Sequence, residues 1–259
     1  MRVAALYDIH GNLPALEAVL NDVRRARVDR VVVGGDVIPG PMPRETLDLL
    51  VDLEIPTRFI YGNGELAVLA QIDATDPSAV TYWGTTSGEP LPEPLRDVLR
   101  WTGRQLDSQH EQTLRSWPGT LGLDLPRVGR VLFCHGTPRS ETEAFTRLTP
   151  EELLLPMFQG LDRTLVVCGH THMQFDRMIG ATRVVNAGSV GMPFGRPGAG
   201  WLLLGDDIQL RHTPYDFADA AARVRSTPYP QAKEFAHGSI QNPPSEEEML
   251  RAFTNLSFR

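Results

Sequence analysis

The sequence predicts an α/β fold in which helices flank a layered sheet. Three observations lead there. Short β-branched runs end in glycine and polar residues, strand and helix patterns alternate over the first 60 residues, and the composition is 41% apolar and 22% charged. Such a composition excludes disorder and collagen-like arrays. A length of 259 residues fits one large α/β domain better than two complete ones.

The run 3–7 is the first strand candidate; 31–34, 57–61, 131–134, 165–168, 184–186 and 201–204 come after it. Each is apolar almost throughout, as expected of a strand buried on both faces. The run 208–212 is weaker and follows a Gly-Asp-Asp turn suited to a hairpin with 201–204. Residues 13–27 carry Leu, Ala and Val at helical spacing, with Asn12 as N-cap and Pro14 in the first turn. Further helices are expected over 45–53, over 94–117 as the longest amphipathic stretch, and over 150–158. Residues 76–94 are rich in Pro, Gly, Ser and Thr and read as a surface insertion or a lid, so that 76–117 forms a helical insertion. Within it, Tyr82 and Trp83 either stack on a nucleobase or anchor the loop to the core. Beyond Pro214 the pattern turns helical and polar, and Ser245 with Glu248 has capping-box spacing ahead of Met249 and Leu250. Residues 214–259 are thus expected to extend a single domain with helices, which can also cover the interface of a homo-oligomer.

Charge narrows the partners. Acidic residues outnumber basic ones, 32 to 25, for a net charge of −7. Binding to long nucleic acid or to an anionic membrane needs a cationic surface, so both are disfavoured. A small phosphorylated substrate is not, because a metal can meet its charge locally. The two cysteines, Cys134 and Cys168, form no disulfide scaffold and read as small buried apolar groups. No apolar run approaches the roughly 20 residues that span a bilayer, and the stretch 3–7 is too short for a signal peptide. A cytoplasmic protein is the expectation.

Chemistry gathers where strands end. The first run leads into Asp8-Ile9-His10, the second into Gly34-Gly35-Asp36, and the third into Gly62-Asn63. The run 131–134 leads into His135-Gly136, and 165–168 into Gly169-His170-Thr171-His172. Ligands of open α/β sheets bind beyond the carboxyl ends of the strands, so these side chains can converge. Two aspartates, one asparagine oxygen and four imidazoles make a mixed O/N set for first-row dications. Seven ligands exceed one tetrahedral site; with one bridging carboxylate they make two sites of four. Asp8 and Asp36 both qualify as that bridge by their chemistry. Glycines beside the ligands permit the tight turns that aim side chains at one point.

Asp8-x-His10, Gly35-Asp36, Gly62-Asn63, His135 and Gly169-His170-x-His172 resemble, in that order, the motifs of the calcineurin-like metallophosphoesterase superfamily. The run Asn186-Ala187-Gly188-Ser189-Val190-Gly191 extends the likeness. Asp-Ile-His-Gly-Asn at the first motif is similar to the small bacterial and archaeal phosphodiesterase branch. The resemblance implies a four-layer αββα sandwich of two mixed β-sheets. It places Asp8, His10, Asp36 and His172 on one divalent metal and Asp36, Asn63, His135 and His170 on the other, with Asp36 bridging. Manganese is the foremost candidate, with Fe, Zn, Ni, Co and Mg open. Asp36, Asn63 and His135 carry catalysis on this reading, in which a metal-bridging hydroxide attacks phosphorus in line.

One departure bears on the substrate. Most of the superfamily has Gly-Asn-His followed by an acid, where the His contacts phosphate and can protonate the leaving group; here the run is Gly62-Asn63-Gly64-Glu65. General acid catalysis is typically worth about 10²–10⁴-fold, so ordinary phosphomonoesters are expected to be slow. Gly64 is also expected to open space beside the phosphate for a second ester substituent. A metal-dependent phosphodiesterase acting on small diesters, 2′,3′-cyclic nucleotides among them, is the leading expectation. A phosphomonoesterase is the alternative, and a non-catalytic protein-binding scaffold a second. Glu65 reads as a first-turn carboxylate favoured by the helix dipole. Arg139 and Arg196 either reach a phosphate oxygen or lie on the surface, and Asn12 either contacts the site or caps its helix. His110, His212 and His237 match no motif and read as surface or packing residues.

Overall fold

The computed structural model describes residues 1–76, 80, 91–161 and 164–254. Its first five strands are β1 (Val3–Leu6), β2 (Arg30–Val33), β3 (Thr57–Phe59), β4 (Thr120–Leu125) and β5 (Gly129–Cys134). The others are β6 (Leu165–Cys168), β7 (Phe175–Ile179), β8 (Thr182–Asn186), β9 (Ala199–Leu204) and β10 (Ile208–Thr213). They form two five-stranded mixed sheets, ordered β10-β9-β1-β2-β3 and β4-β5-β6-β8-β7. β1, β2 and β3 run parallel in the first sheet, and β5, β6 and β8 in the second. β9 and β10 in the first and β4 and β7 in the second are the antiparallel additions.

Period-2 alternation builds the layers. Val3, Ala5 and Tyr7 turn inward to meet Val131, Phe133 and Val167 in a core between the sheets. Ala4 and Leu6 face outward onto Leu16, Val19 and Leu20 of α1 (Leu13–Arg25). α2 (Pro43–Val51) and α3 (Asn63–Asp73) share that outer core through Leu47, Leu50 and Val68. On the far face, Val166, Cys168 and Val184 pack on Phe145, Phe158 and Leu154 of α6 (Glu151–Leu154). Helix, sheet, sheet and helix succeed one another: the fold is the four-layer αββα sandwich. Burying a Leu or Phe at such a position contributes about 1.5–3 kcal/mol.

Two strands escape the sequence pattern. β4 reads Thr-Leu-Gly-Leu-Asp-Leu and alternates strictly, and β7 buries only its ends, Phe175 and Ile179. Both are edge strands with one face solvated, so they lack the continuous apolar runs that mark buried strands. The helix expected over 94–117 is two, α4 (Glu93–Gln105) and α5 (Ser108–Ser116). Asp107 interrupts it, accepting hydrogen bonds from the Gln109 and His110 N–H groups and so starting a new helix. Tyr82 and Trp83 lie outside the described residues. The C-terminal segment forms α7 (Phe217–Arg225), α8 (Ala232–Phe235), a π-helical turn over Ala236–Gln241, and α9 (Glu246–Thr254). Ser245 and Glu248 close the capping box ahead of α9. No described helix is long and apolar enough to cross a membrane.

Candidate metal centre

The loops after β1 and β2 continue the parallel pairing beyond the strands themselves. Asp8 N–H donates to Gly35 O, His10 N–H to Asp36 O, and Gly11 N–H to Val37 O, at 3.1, 2.9 and 2.8 Å. The second sheet does likewise, with Gly169 N–H on His135 O at 2.9 Å. Across the sheets, Tyr7 Oη donates to Val167 O and His170 N–H to Asp8 Oδ2, at 3.0 and 2.9 Å. The carboxyl ends of β1, β2, β3, β5 and β6 are thereby brought to one place, and all seven ligand candidates meet there.

They fall into two groups. Asp8, His10 and His172 place ligand atoms within 4.8 Å of one another, and so do Asp36, His135 and His170. Asn63 joins the second group, its Oδ1 3.1 Å from His135 Nε2. Among the described residues, six besides glycine have positive φ, and five of them are Asp8, His10, Asp36, His170 and His172, at 48–65°. Left-handed backbone costs a non-glycine residue on the order of 1–3 kcal/mol and persists where surrounding structure over-determines it. The chain accepts that cost five times to aim these side chains inward.

The donor set fits divalent cations. His135 Nδ1–H donates to Gly34 O at 2.9 Å and His172 Nδ1–H to Met192 O at 2.7 Å. Both carbonyls can only accept, so each ring aims Nε2 at the centre and, once that nitrogen gives up its proton, offers its lone pair there. His10 Nε2 and His172 Nε2 stand 3.3 Å apart. Asp8 Oδ1 is buried and makes no hydrogen bond, although it lies 3.3 Å from His172 Nε2 and 3.7 Å from His135 Nε2. A buried carboxylate oxygen left unpaired is costly, and a cation among these nitrogens would satisfy it.

Burial by itself would raise the Asp8 and Asp36 carboxyls, but the surrounding imidazoles hold both below the usual carboxylate range. Burial likewise works against a charged His135, yet Asp36 and Asp8 outweigh it and push the ring up to about 10. Asp8 raises His172 in the same way. His10 goes down by desolvation, and His170 falls to about 4 through burial and repulsion from His135. At neutral pH the metal-free centre thus keeps a proton on His135 that a cation must displace. Titrating Mn²⁺ into metal-free protein at pH 7, in buffers of different ionisation enthalpy, should release roughly one proton or more. Apparent affinity should fall as the pH falls; a heat independent of buffer would contradict this protonation.

Glu65 does more than complement a helix dipole. It is fully buried. Its Oε1 accepts from the Val37 and Ile38 N–H groups at 2.7 and 3.2 Å, and its Oε2 from Gly62 and Asp36 at 2.7 and 2.9 Å. Desolvation, then the charge of Asp36, pushes this carboxyl up to about 7 against the pull of those N–H groups. One side chain therefore fixes both the Asp36 loop and the start of α3. The signal in the sequence was an acid three residues after Gly62, the N-cap, but its long-range partners were not visible there. Glu65→Ala leaves buried N–H groups unsatisfied at about 1–3 kcal/mol each. A urea midpoint that did not move would exclude this clasp.

Other site residues stand elsewhere. Asn12 caps α1 through Ala15 N–H and donates Nδ2–H to Gly191 O at 2.9 Å; it is fully buried and does not line the cleft. Arg139 is exposed and held by Glu143. Arg196 is exposed beside a separate depression with His212 and Glu246. Gly64 provides no open space: a Cβ there would lie 2.2 Å from the Ile38 carbonyl oxygen and 2.9 Å from Asp36 Oδ1. The expected room for a second ester group is filled by the Ile38 carbonyl and the Pro39 ring, and Gly64 instead donates its N–H to Asp36 Oδ1 at 2.7 Å. Cys134 and Cys168 are buried, and His110, His212 and His237 bond outside the centre. Asn186 and Ser189, from the Asn-Ala-Gly-Ser run, bind Gly169 O and Asp8 O at 2.6 and 2.7 Å and so brace two ligand loops.

A family model for the calcineurin-like phosphoesterase superfamily domain matches residues 1–205. The chain belongs to that superfamily. The chain is 26% identical over 174 residues to an uncharacterised protein of Methanocaldococcus jannaschii, a match covering 67% of this chain but only 63% of that one. It is similar to the crystal structure of a metallophosphoesterase from Sphaerobacter thermophilus, at 25% identity and a TM-score of 0.67, covering 91% of this chain and 99% of that one. A hypothetical protein of Pyrococcus horikoshii OT3 shares the fold at 20% identity and a TM-score of 0.75, covering 94% and 99%. The family whose model matches is one of phosphoesterases, and the match spans every ligand candidate from Asp8 to His172.

Proposed function

We propose that this phosphoesterase hydrolyses small phosphate diesters, 2′,3′-cyclic nucleotides among them, with two divalent cations, manganese foremost. Asp8, His10, Asp36 and His172 would hold one cation, and Asp36, Asn63, His135 and His170 the other. The bridging role of Asp36 is supported by its two oxygens: Oδ2 lies 3.7 Å from His10 Nε2 and Oδ1 lies 3.5 Å from His135 Nε2. When bound, the cations make water nucleophilic near neutral pH and draw charge from phosphoryl oxygens.

The chain's own residues do the positioning. His135 and His172 keep Nε2 directed inward through their Nδ1–H bonds, Glu65 holds the Asp36 backbone N–H, and the Gly64 N–H fixes the Asp36 carboxylate. The observation that carries the diester reading is charge. The cleft over the centre, about 430 Å³, is lined among the described residues by no lysine, arginine or non-ligand histidine. A diester brings one negative charge to phosphorus and a monoester close to two, so the diester asks less of a site without cationic side chains. With no imidazole at position 64, an alkoxide leaving group also lacks the family's proton donor, which favours activated or ring-strained esters.

The decisive measurement is kcat/KM, with Mn²⁺ added, for bis(4-nitrophenyl) phosphate against 4-nitrophenyl phosphate. The diester is expected to lead by about tenfold or more, and a chelator should abolish turnover of both. A monoester preference would overturn the reading.

A further inference from the structure

The family model ends at residue 205, yet part of the cleft over the metal centre is built by residues 229–239, beyond that limit. The ligands His10, Asp36, Asn63, His170 and His172 line one side. Against them stand Leu95 and Val98 of α4, with Tyr229, Phe235, Gly238 and Ser239 from the C-terminal segment. That segment is firmly seated: Ala221, Val224, Phe235, Ala236 and Ile240 form a buried cluster with Val98 and Met42. Tyr229 lies edge-on to Trp101 at 5.4 Å and to Phe235 at 6.1 Å.

Three details point to a ligand. Gly238 and Ser239 are presented by the π-helical turn over Ala236–Gln241, a rare backbone form that recurs at functional sites. Ser239 is only 7% exposed and lines the cleft, yet its hydroxyl has no hydrogen-bond partner among the described residues. Gly238 lines the cleft, and a Cβ on it would meet nothing within 4 Å, so a side chain there has open space. The volume, about 430 Å³, falls in the range of small-molecule pockets and exceeds what a lone phosphate fills. Among the described residues, the one acidic or basic side chain that the C-terminal segment adds to the lining is the exposed Glu234.

We infer that the C-terminal wall is the specificity element of this enzyme: it receives a neutral, ring-bearing ester substituent, such as a nucleoside, against Tyr229, Phe235 and Val98, with Ser239 as its hydrogen-bonding partner. A substituent carrying a second phosphate is rejected, because it would face Glu234 with no cationic side chain among the described lining residues to receive it. This rests on the proposed phosphodiesterase reading and adds the class of group beyond phosphorus.

Two measurements test it. In calorimetric titrations of the Mn²⁺-loaded protein, phenylphosphonate should bind about tenfold tighter than methylphosphonate, and Gly238→Phe, which fills the open space, should remove most of that difference. In turnover, 4-nitrophenyl thymidine 5′-phosphate should exceed methyl 4-nitrophenyl phosphate in kcat/KM by about tenfold, mainly through KM. A 3′-phosphate on the thymidine should cancel the gain, and Glu234→Lys should restore about threefold or more of it. Glu234 is exposed, so that variant keeps the test open should Gly238→Phe not fold. Equal binding of the two phosphonates, or indifference to the 3′-phosphate, would overturn the inference. Failure to turn over either diester while phenylphosphonate still binds preferentially would instead strike the phosphodiesterase reading and leave the wall's role standing.

Discussion

Replacing Asp36 with asparagine should lower kcat/KM on the order of 10³-fold or more, equivalent to about 4 kcal/mol of lost transition-state stabilisation. The substitution keeps shape and removes charge, so folding should survive it. Asn retains an oxygen for the Gly64 N–H that Asp36 Oδ1 now accepts at 2.7 Å. What it loses is a carboxylate with an oxygen toward His10 on one side and His135 on the other. Cation stoichiometry by calorimetry should drop from two to one at most, and circular dichroism should stay native. An Asp36→Asn enzyme with full turnover and two bound cations would exclude the shared-ligand arrangement.

Restoring the family's imidazole should fail. Gly64→His is expected to destabilise the fold by about 2–3 kcal/mol, within the usual range for forced overpacking, and so to lower Tm by roughly 4–12 °C at this size. The new Cβ meets the Ile38 carbonyl oxygen at 2.2 Å, a backbone atom that cannot swing away. Moving it would disturb the Ile38 N–H bond to Glu65 and the Gly64 N–H bond to Asp36, and hence a metal ligand. Monoester turnover should therefore not rise. A Gly64→His protein as stable as the parent and faster on 4-nitrophenyl phosphate would show that the glycine was a vacancy after all. Gly64→Ala separates the two effects, since it carries the same Cβ without an imidazole.

The fold was legible wherever strands are buried on both faces. β1, β2, β6 and β9 announce themselves through near-unbroken apolar runs, and Asn12 with Pro14 marks the start of α1. The edge strands of the second sheet gave no such mark, because solvent on one face lets β4 and β7 carry Asp124, Asp176 and Arg177. The break between α4 and α5 was missed because amphipathic spacing continues across Asp107, whose capping bonds are a local decision that periodicity does not report.

The ligand set stood in the sequence because each of its members lies just past a strand end, and parallel strands deliver their carboxyl ends to the same edge. Residues outside that rule were misplaced or missed: Gly64 faces the Ile38 carbonyl rather than a substrate, and Arg139 has Glu143 as its partner. Glu65 clasps a loop 29 residues before it, and Ser239 reaches the cleft from far beyond the last ligand. Chain order thus dictated the kinds of atom that gather and the edge where they gather, since strand direction and residue chemistry are local properties. Which space stays open around them, and which charges line it, was settled by contacts between distant segments, and only packing in three dimensions brings those together.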